Sequence, residues 1–182
     1  VKGDFGPSLK YRSHSVTEII LNGLPITLLI GGLSLCFALG IGIPLGFVTA
    51  VKKGEWEDYV GSTLSILGIC IPALVVGPIL VMVLAVYWKV FPVALVGGVQ
   101  HLVLPTITLG LYFAGRVSRL MREGMLGVLD AEFITAARAK GVSETRILPR
   151  PAFRIGVLPV VSYSGPLLAD LMIGSFVVEK LF

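Results

Sequence analysis

Uncharged runs of bilayer length organise this chain. Residues 24–51 hold no Asp, Glu, Lys or Arg in 28 positions, and residues 60–88 hold none in 29. Residues 102–115 are also uncharged and continue into a helix punctuated by arginines, while residues 155–178 carry one charge, Asp170. A helix crosses the hydrocarbon core with about 20 mostly apolar residues, so the pattern predicts four transmembrane helices. No part of it alternates in the segments of about 10 residues that build a membrane β-barrel. The expected fold class is all-α, a polytopic membrane helix bundle. Ahead of the first span, residues 15–23 (SVTEIILNG) read as a short amphipathic helix lying along the membrane surface, with Glu18 and nearby His14 solvated.

Composition narrows the class. Hydrophobic residues make up 55% and charged residues 14% of the 182, with a mean hydropathy of +0.91. Soluble domains carry about 25% charged residues, so a disordered segment, a coiled coil and an ordinary cytosolic enzyme are excluded. The chain opens Val1-Lys2-Gly3, with no initiator Met and no signal-peptide n-region, and stops at Leu181-Phe182. The expectation is an internal piece of a longer protein, with at least one further span on one side or both. Cys36 and Cys70 fall inside spans and read as small, reduced packing residues.

Orientation follows from the basic residues. Ten of the fifteen (Lys52, Lys53, Arg116, Arg119, Arg122, Arg138, Lys140, Arg146, Arg150 and Arg154) gather on one side, which is therefore cytoplasmic. The N-terminal segment and the loop at 89–101 then face outward. Trp56, Tyr59, Tyr87 and Trp88 mark span ends, as amphipathic rings prefer. The net charge of +4 reflects this topology and calls for no nucleic-acid partner.

Within the spans Pro25, Pro44, Pro72, Pro78, Pro105, Pro159 and Pro166 free backbone carbonyls that neighbouring helices or water must satisfy. Gly42 with Gly46, and Gly110 with Ala114, are small-residue pairs at the spacing that lets helix backbones approach closely. Asp170 is the one ionisable residue deep in a span. Such an acid faces protein or water, which leaves two readings: a place on a translocation path, together with Ser164 on its own helix and the break at Pro72, or a structural pair with an arginine or hydroxyl of another helix.

Residues 116–154 are the most informative. Arg116, Arg119 and Arg122 recur at i, i+3 and i+6, extending the third helix beyond the membrane on roughly one face. Asp130 then reads as an N-cap for a helix ending at Lys140 and Gly141, with acid at its start, base at its end and glycine just past it. A second helix starts at Ser143-Glu144, and Pro149 and Pro151 stop it. Phe133 and Ala137 share a face at i, i+4, and Ala136 leaves little side chain. The knob spanning about 130–154 suits docking into a groove of another protein; an interfacial loop on the headgroups is the alternative.

The stretch FITAARAKG at 133–141, followed by RIGVLP at 154–159, resembles the cytoplasmic loop of ABC importer permeases, with Ala136, Ala137 and Gly141 matching the Ala-Ala-x-x-x-Gly core of that family's motif. GDFGPS at 3–8, Arg116 and Arg119, and GSFVVE at 174–179 are similar to the peptide and nickel branch, and GDFGPSLKY at 3–11 is most similar to its oligopeptide members. The likeness spans nearly all of residues 1–182 as a single permease domain. Thr135 stands where the family usually has Glu, and Pro151 where the branch generally has His.

That resemblance implies a subunit that moves oligopeptides into the cytoplasm across the bacterial inner membrane. It implies two cytoplasmic ABC ATPases that bind ATP and Mg, a homologous second permease, and a periplasmic or lipid-anchored peptide-binding protein, with membrane lipid around the bundle. The ATPase-coupling residues would be Phe133, Ala136, Ala137, Arg138, Lys140 and Gly141. No phosphate-binding G-x-x-x-x-G-K-[ST] occurs, so no cofactor and no ATP site of its own is expected, and the chain is read as a transporter subunit rather than an enzyme. Dipeptide, glutathione or nickel import remains open on the same fold. An intramembrane enzyme lacks its residues, since the two histidines, His14 and His101, lie outside the spans, and an ion-coupled transporter would have no use for the knob.

Overall fold

The computed structural model describes residues 6–7, 15–92 and 98–179. Most of the GDFGPSLKY stretch, His14, the middle of the outer loop and Lys180 lie outside the described residues.

Helix α1 runs unbroken over Val16–Val51, 36 residues capped by Ser15, whose side chain accepts from the Glu18 amide at 3.1 Å. The expected surface helix at 15–23 is therefore not a separate element. Gly23 does not end the helix, and its carbonyl also accepts from the Thr27 hydroxyl at 3.2 Å. At 1.5 Å per residue α1 is about 54 Å long, so it projects beyond a hydrocarbon core of about 30 Å.

The second expected span is broken. Helix α2 covers Trp56–Cys70 and α3 covers Ala73–Leu80, continuing as a π-helical segment over Val81–Tyr87, and the two halves meet at 100°. The cause is Pro72, which supplies no amide and drives the preceding Ile71 into extended backbone at φ −88°, ψ 115°.

After a 3₁₀ turn at Val99–Leu102, α4 runs over Val103–Leu129. A reversal follows, built from α5 (Glu132–Ala139), α6 (Glu144–Ile147), a π-helical turn (Leu148–Ala152) and α7 (Phe153–Gly156), and then α8 (Leu158–Glu179). Contrary to the sequence expectation, Pro149 and Pro151 do not stop the helical path. The wider π turn absorbs them, and α7 follows directly.

Among the described residues α1 is the one helix long and apolar enough to cross a membrane, with up to three spans if each bent pair counts as one. The expected span in α4 is apolar only to Gly115, and charge begins at Arg116. Helix α4 tolerates this because it sits at the centre, packed against α1, α2, α7 and α8.

Contact with α1 is through backbone. A Cβ on Gly42 would lie 2.7 Å from the Ala114 carbonyl oxygen and the Val117 side chain, and one on Gly46 would collide with the Ser118 carbonyl. The two small-residue pairs read from sequence thus meet: Ala114 is buried under Gly42, and Gly110 makes room for the Phe37 ring. In lipid, packing and hydrogen bonds hold helices together, since tails are as apolar as leucine. Ser34 donates to the Thr106 carbonyl at 3.3 Å, and the Ser65 and Ser118 hydroxyls share a bond of 2.8 Å. Ile30, Val117, Met121, Met125, Leu167 and Leu171 fill the interior, while Leu28, Leu33, Leu64 and Ile173 face outward.

Gly46→Ala should therefore lower the thermal midpoint of the detergent-solubilised protein, an overpacking penalty of about 1–3 kcal/mol. Gly32→Ala, with nothing within 4 Å of the added carbon, should leave it unchanged or raise it. Equal behaviour of the two variants would refute the close approach.

Candidate functional site

Two groups of residues carry function-bearing chemistry: the elbow α5–α7 and a charged stripe along α4. Each is built on α4, whose C-terminus leads into the elbow.

The elbow's first helix is capped differently from the sequence expectation. Asp130 closes α4 in helical backbone (φ −88°, ψ −2°), and Ala131, in extended backbone, is the N-cap of α5, with no side-chain bond. The α4 helix runs up to Asp130 and the chain can turn only at the next residue. At the other end the expectation holds: Gly141 has φ +77°, its amide donates to the Arg138 carbonyl at 2.9 Å, and the Val142 amide reaches Ala137 at 3.1 Å. That is a Schellman closure, which needs the left-handed conformation glycine adopts freely.

Burial then sorts the coupling residues. Ile134 is fully buried, in one cluster with Met125, Val128 and Ile147, and Ala137 packs against that cluster. Phe133 is 46% exposed, and Ala136 and Lys140 are exposed with it. Phe133 and Ala137 therefore do not share an outward face. The free face is Phe133, Ala136 and Lys140, at i, i+3 and i+7, and Ala137 belongs to the anchoring side. Ile134 was the missed anchor; its i, i+3 relation to Ala137 carried the signal.

Arg138 is a staple rather than a free rim charge. It donates through Nε to Glu144 at 2.7 Å and through Nη1 to the Leu129 carbonyl at 3.5 Å, joining α5 to α6 and to the end of α4. The Glu144 carboxylate beside it raises the guanidinium above its usual pKa. Phe153 of α7 meets Phe47 of α1 edge-on, ring centres 5.8 Å apart, and Gly156 lies so close to α4 that a Cβ there would meet the Met125 sulfur at 2.5 Å.

The arginines of α4 line one stripe but take partners from different elements. Arg122 makes a two-pronged bond to Asp58 of α2, both contacts 2.9 Å. Asp58 is buried and also accepts from the Gly54 amide and the Ser62 hydroxyl, each at 3.0 Å, so the α1–α2 turn is tied to α4. Nothing in the sequence pointed to this lock, because Asp58 and Arg122 are 64 residues apart and Asp58 stands just outside an uncharged run.

Arg116 donates to the Tyr163 hydroxyl at 3.0 Å, lies 3.7 Å from the Asp170 carboxylate and stacks 5.1 Å from the centre of the Tyr112 ring. It thus sits level with the middle of α8, packed inside the bundle rather than on a free extension of the helix. Among the described residues Arg119 pairs only with Glu123 of its own helix, at 3.2 Å.

Of the expected path residues, Asp170 joins this stripe through Arg116. Ser164 bonds back to the Val161 carbonyl at 2.6 Å, and Pro72 lies exposed at the α2–α3 break, away from the charges. Tyr163, missed from sequence, supplies the α8 hydroxyl instead. An open cleft of about 480 Å³ lies over the stripe, lined by Ile69, Arg116, Arg119, Leu120, Glu123 and Tyr163. A second of about 240 Å³ shares Arg119 and Glu123 and continues past Ser62, Ser65 and Arg122. Among the described residues no three His, Cys, Asp or Glu side chains converge on a metal position.

Residues 42–182 match the family model described as the binding-protein-dependent transport system inner membrane component. The chain is 35% identical to the Oligopeptide transport system permease protein OppB of Haemophilus influenzae, over 100% of this chain and 60% of that protein. It is 36% identical to the Dipeptide transport system permease protein DppB of Bacillus subtilis, over 98% and 58%. Identity is likewise 36% to the Glutathione transport system permease protein GsiC of Salmonella choleraesuis, over 100% and 59%. The chain spans about 60% of the length of these curated relatives.

Removing one side of the Asp58–Arg122 lock leaves an unpaired charge, so Asp58→Ala should destabilise the protein by about 3–5 kcal/mol. The double variant Asp58→Ala/Arg122→Met should recover part of that loss, read as the order of thermal midpoints in detergent. A double variant no better than the single would show that the pairing is not what Asp58 supplies.

Proposed function

The chain belongs to the family of binding-protein-dependent transport system inner membrane components, multi-pass helical proteins, and from that premise we propose that it is a permease subunit of an ATP-driven importer of oligopeptides. Dipeptides and glutathione are the related cargoes that its relatives' names suggest. Two cytoplasmic ATPases bind ATP and Mg and supply the energy, a homologous second permease completes the pathway, and an external peptide-binding protein delivers substrate. The chain itself performs no hydrolysis.

The observation that carries this reading is the elbow. Its outer face of Phe133, Ala136 and Lys140 is free, while Ile134, Ala137 and Arg138 fix its inner face to α4 and α6. An exposed phenyl ring beside an exposed alanine offers a small apolar tip to a cleft, and the anchored side transmits whatever the tip receives. Closure of the ATPases around ATP moves the tip, α4 moves with it, and the bundle exchanges outward for inward access. Such coupling needs a discrete two-state element that both partners bias.

Gly141→Val tests it. Open space surrounds Gly141, so the substitution creates no collision, but a β-branched residue at φ +77° strains the closure and redirects the tip. In the complete complex, membrane insertion should persist while ATPase co-purification and ATP-dependent peptide uptake fall together. Normal uptake at normal expression would remove the docking role.

A further inference from the structure

The stripe on α4 holds more donors than its partners use. Arg116 engages Tyr163 and Asp170 through Nη1, and Arg119 engages Glu123 through Nε. Among the described residues, Nη2 of Arg116 and both terminal nitrogens of Arg119 take part in no hydrogen bond. The two side chains lie one helical turn apart, at i, i+3, where neighbouring side chains are about 5–6 Å from each other. Both line the cleft of about 480 Å³, with the Tyr163 hydroxyl between α4 and α8 and apolar Ile69 and Leu120 on the walls.

Charges at this depth face water or protein, never lipid. Unused guanidinium donors, paired one turn apart, match the two oxygens of a carboxylate better than any neutral group, because guanidinium forks bind carboxylates through parallel charge-assisted bonds. The acids here do not fill that role. Asp170 stays 3.7 Å from Arg116, beyond hydrogen-bond range, and is half exposed, while Glu123 meets only one nitrogen of Arg119. Both acids instead hold the arginines in place and offset their charge when the cleft is empty, so that a ligand can enter and leave.

We propose that Arg116 and Arg119, with the Tyr163 hydroxyl, form a carboxylate subsite in the α4 cleft that receives the C-terminal carboxylate of a peptide in transit. This rests on the peptide-permease reading. The same chemistry could be met by an Asp or Glu of the second permease, and the two sources behave differently in one experiment.

Arg119 is the residue to change, because Arg116 is held by three groups and its loss could unfold the α4–α8 contact. The intact complex in proteoliposomes is given one peptide as the free acid and as the C-terminal amide, each at a concentration that saturates the binding protein. The wild type should import the acid faster, by about tenfold, the factor that one charge-assisted contact of about 1.4 kcal/mol supplies. Arg119→Gln should lower acid import to the amide rate and leave the amide rate unchanged, and Arg119→Lys should restore part of the preference.

Equal losses for acid and amide, with the second permease co-purifying poorly, would assign the fork to a subunit contact and overturn the proposal. Unchanged discrimination in Arg119→Gln would overturn it as well. Absence of any ATP-dependent uptake by the wild-type complex would instead remove the peptide-permease premise, and the subsite with it.

Discussion

The backbone approach of α1 to α4 at Gly42 and Gly46 is the contact on which the rest of the bundle depends. In lipid, apolar area gives two helices little reason to prefer each other, so α1, with leucines and isoleucines outward all along its length, needs something else to fix its position. It is fixed by shape. Two glycines one turn apart admit the Ala114 and Ser118 carbonyls of α4 into a groove that a methyl group would close. The same helix then meets α2 at Gly115 and α7 at Gly124, where added carbons would strike the Ser65 and Gly156 carbonyls. Helix α4 is a spine with small residues wherever a neighbour crosses it.

That arrangement bears on how motion could pass through the molecule. The elbow is not a flexible loop hung from two helices. Ile134 and Ile147 are part of one buried cluster with Met121 and Met125 of α4, Arg138 reaches back to the Leu129 carbonyl, and Phe153 leans on Phe47 of α1. Interdigitated packing of this kind transmits displacement instead of absorbing it. Under the proposed coupling, a push on Phe133 has no slack to take up before it reaches α4. Asp58 and Arg122 extend the same ties to the turn between α1 and α2, joining α1, α2 and α4 at that end of the bundle.

Legibility in the sequence followed the range of the interaction. Residues within one helix turn announced themselves: Gly141 past a basic helix end, the glycine pair at 42 and 46, and the first apolar run found their counterparts. Non-local geometry did not. Periodicity alone put Arg116, Arg119 and Arg122 on one face, yet each takes a partner from a different place: α8, its own helix and α2. Asp130 looked like a cap because capping residues are read from the helix that follows, whereas the helix before it claimed the residue first. The 100° break at Pro72 sat inside 29 uncharged residues, and hydropathy, being blind to direction, counted it as one span.

Helix α4 shows why hydropathy undercounts as well. Its second half carries Arg116, Arg119, Arg122 and Glu123 and fails the test of an independent span. A helix in the middle of a bundle is solvated by its neighbours rather than by lipid, and its charges need only find partners there. Arg122 found a buried aspartate, Arg116 a tyrosine and an aspartate, and Arg119 only a glutamate one turn away. The grading is informative. Pairing is tightest at Arg122, where the bundle is locked to α2, and loosest at Arg119, where two open clefts meet. Under the proposed function, the locked arginine gives the bundle a rigid wall and the loosely paired one leaves donors that a polar ligand can exchange with.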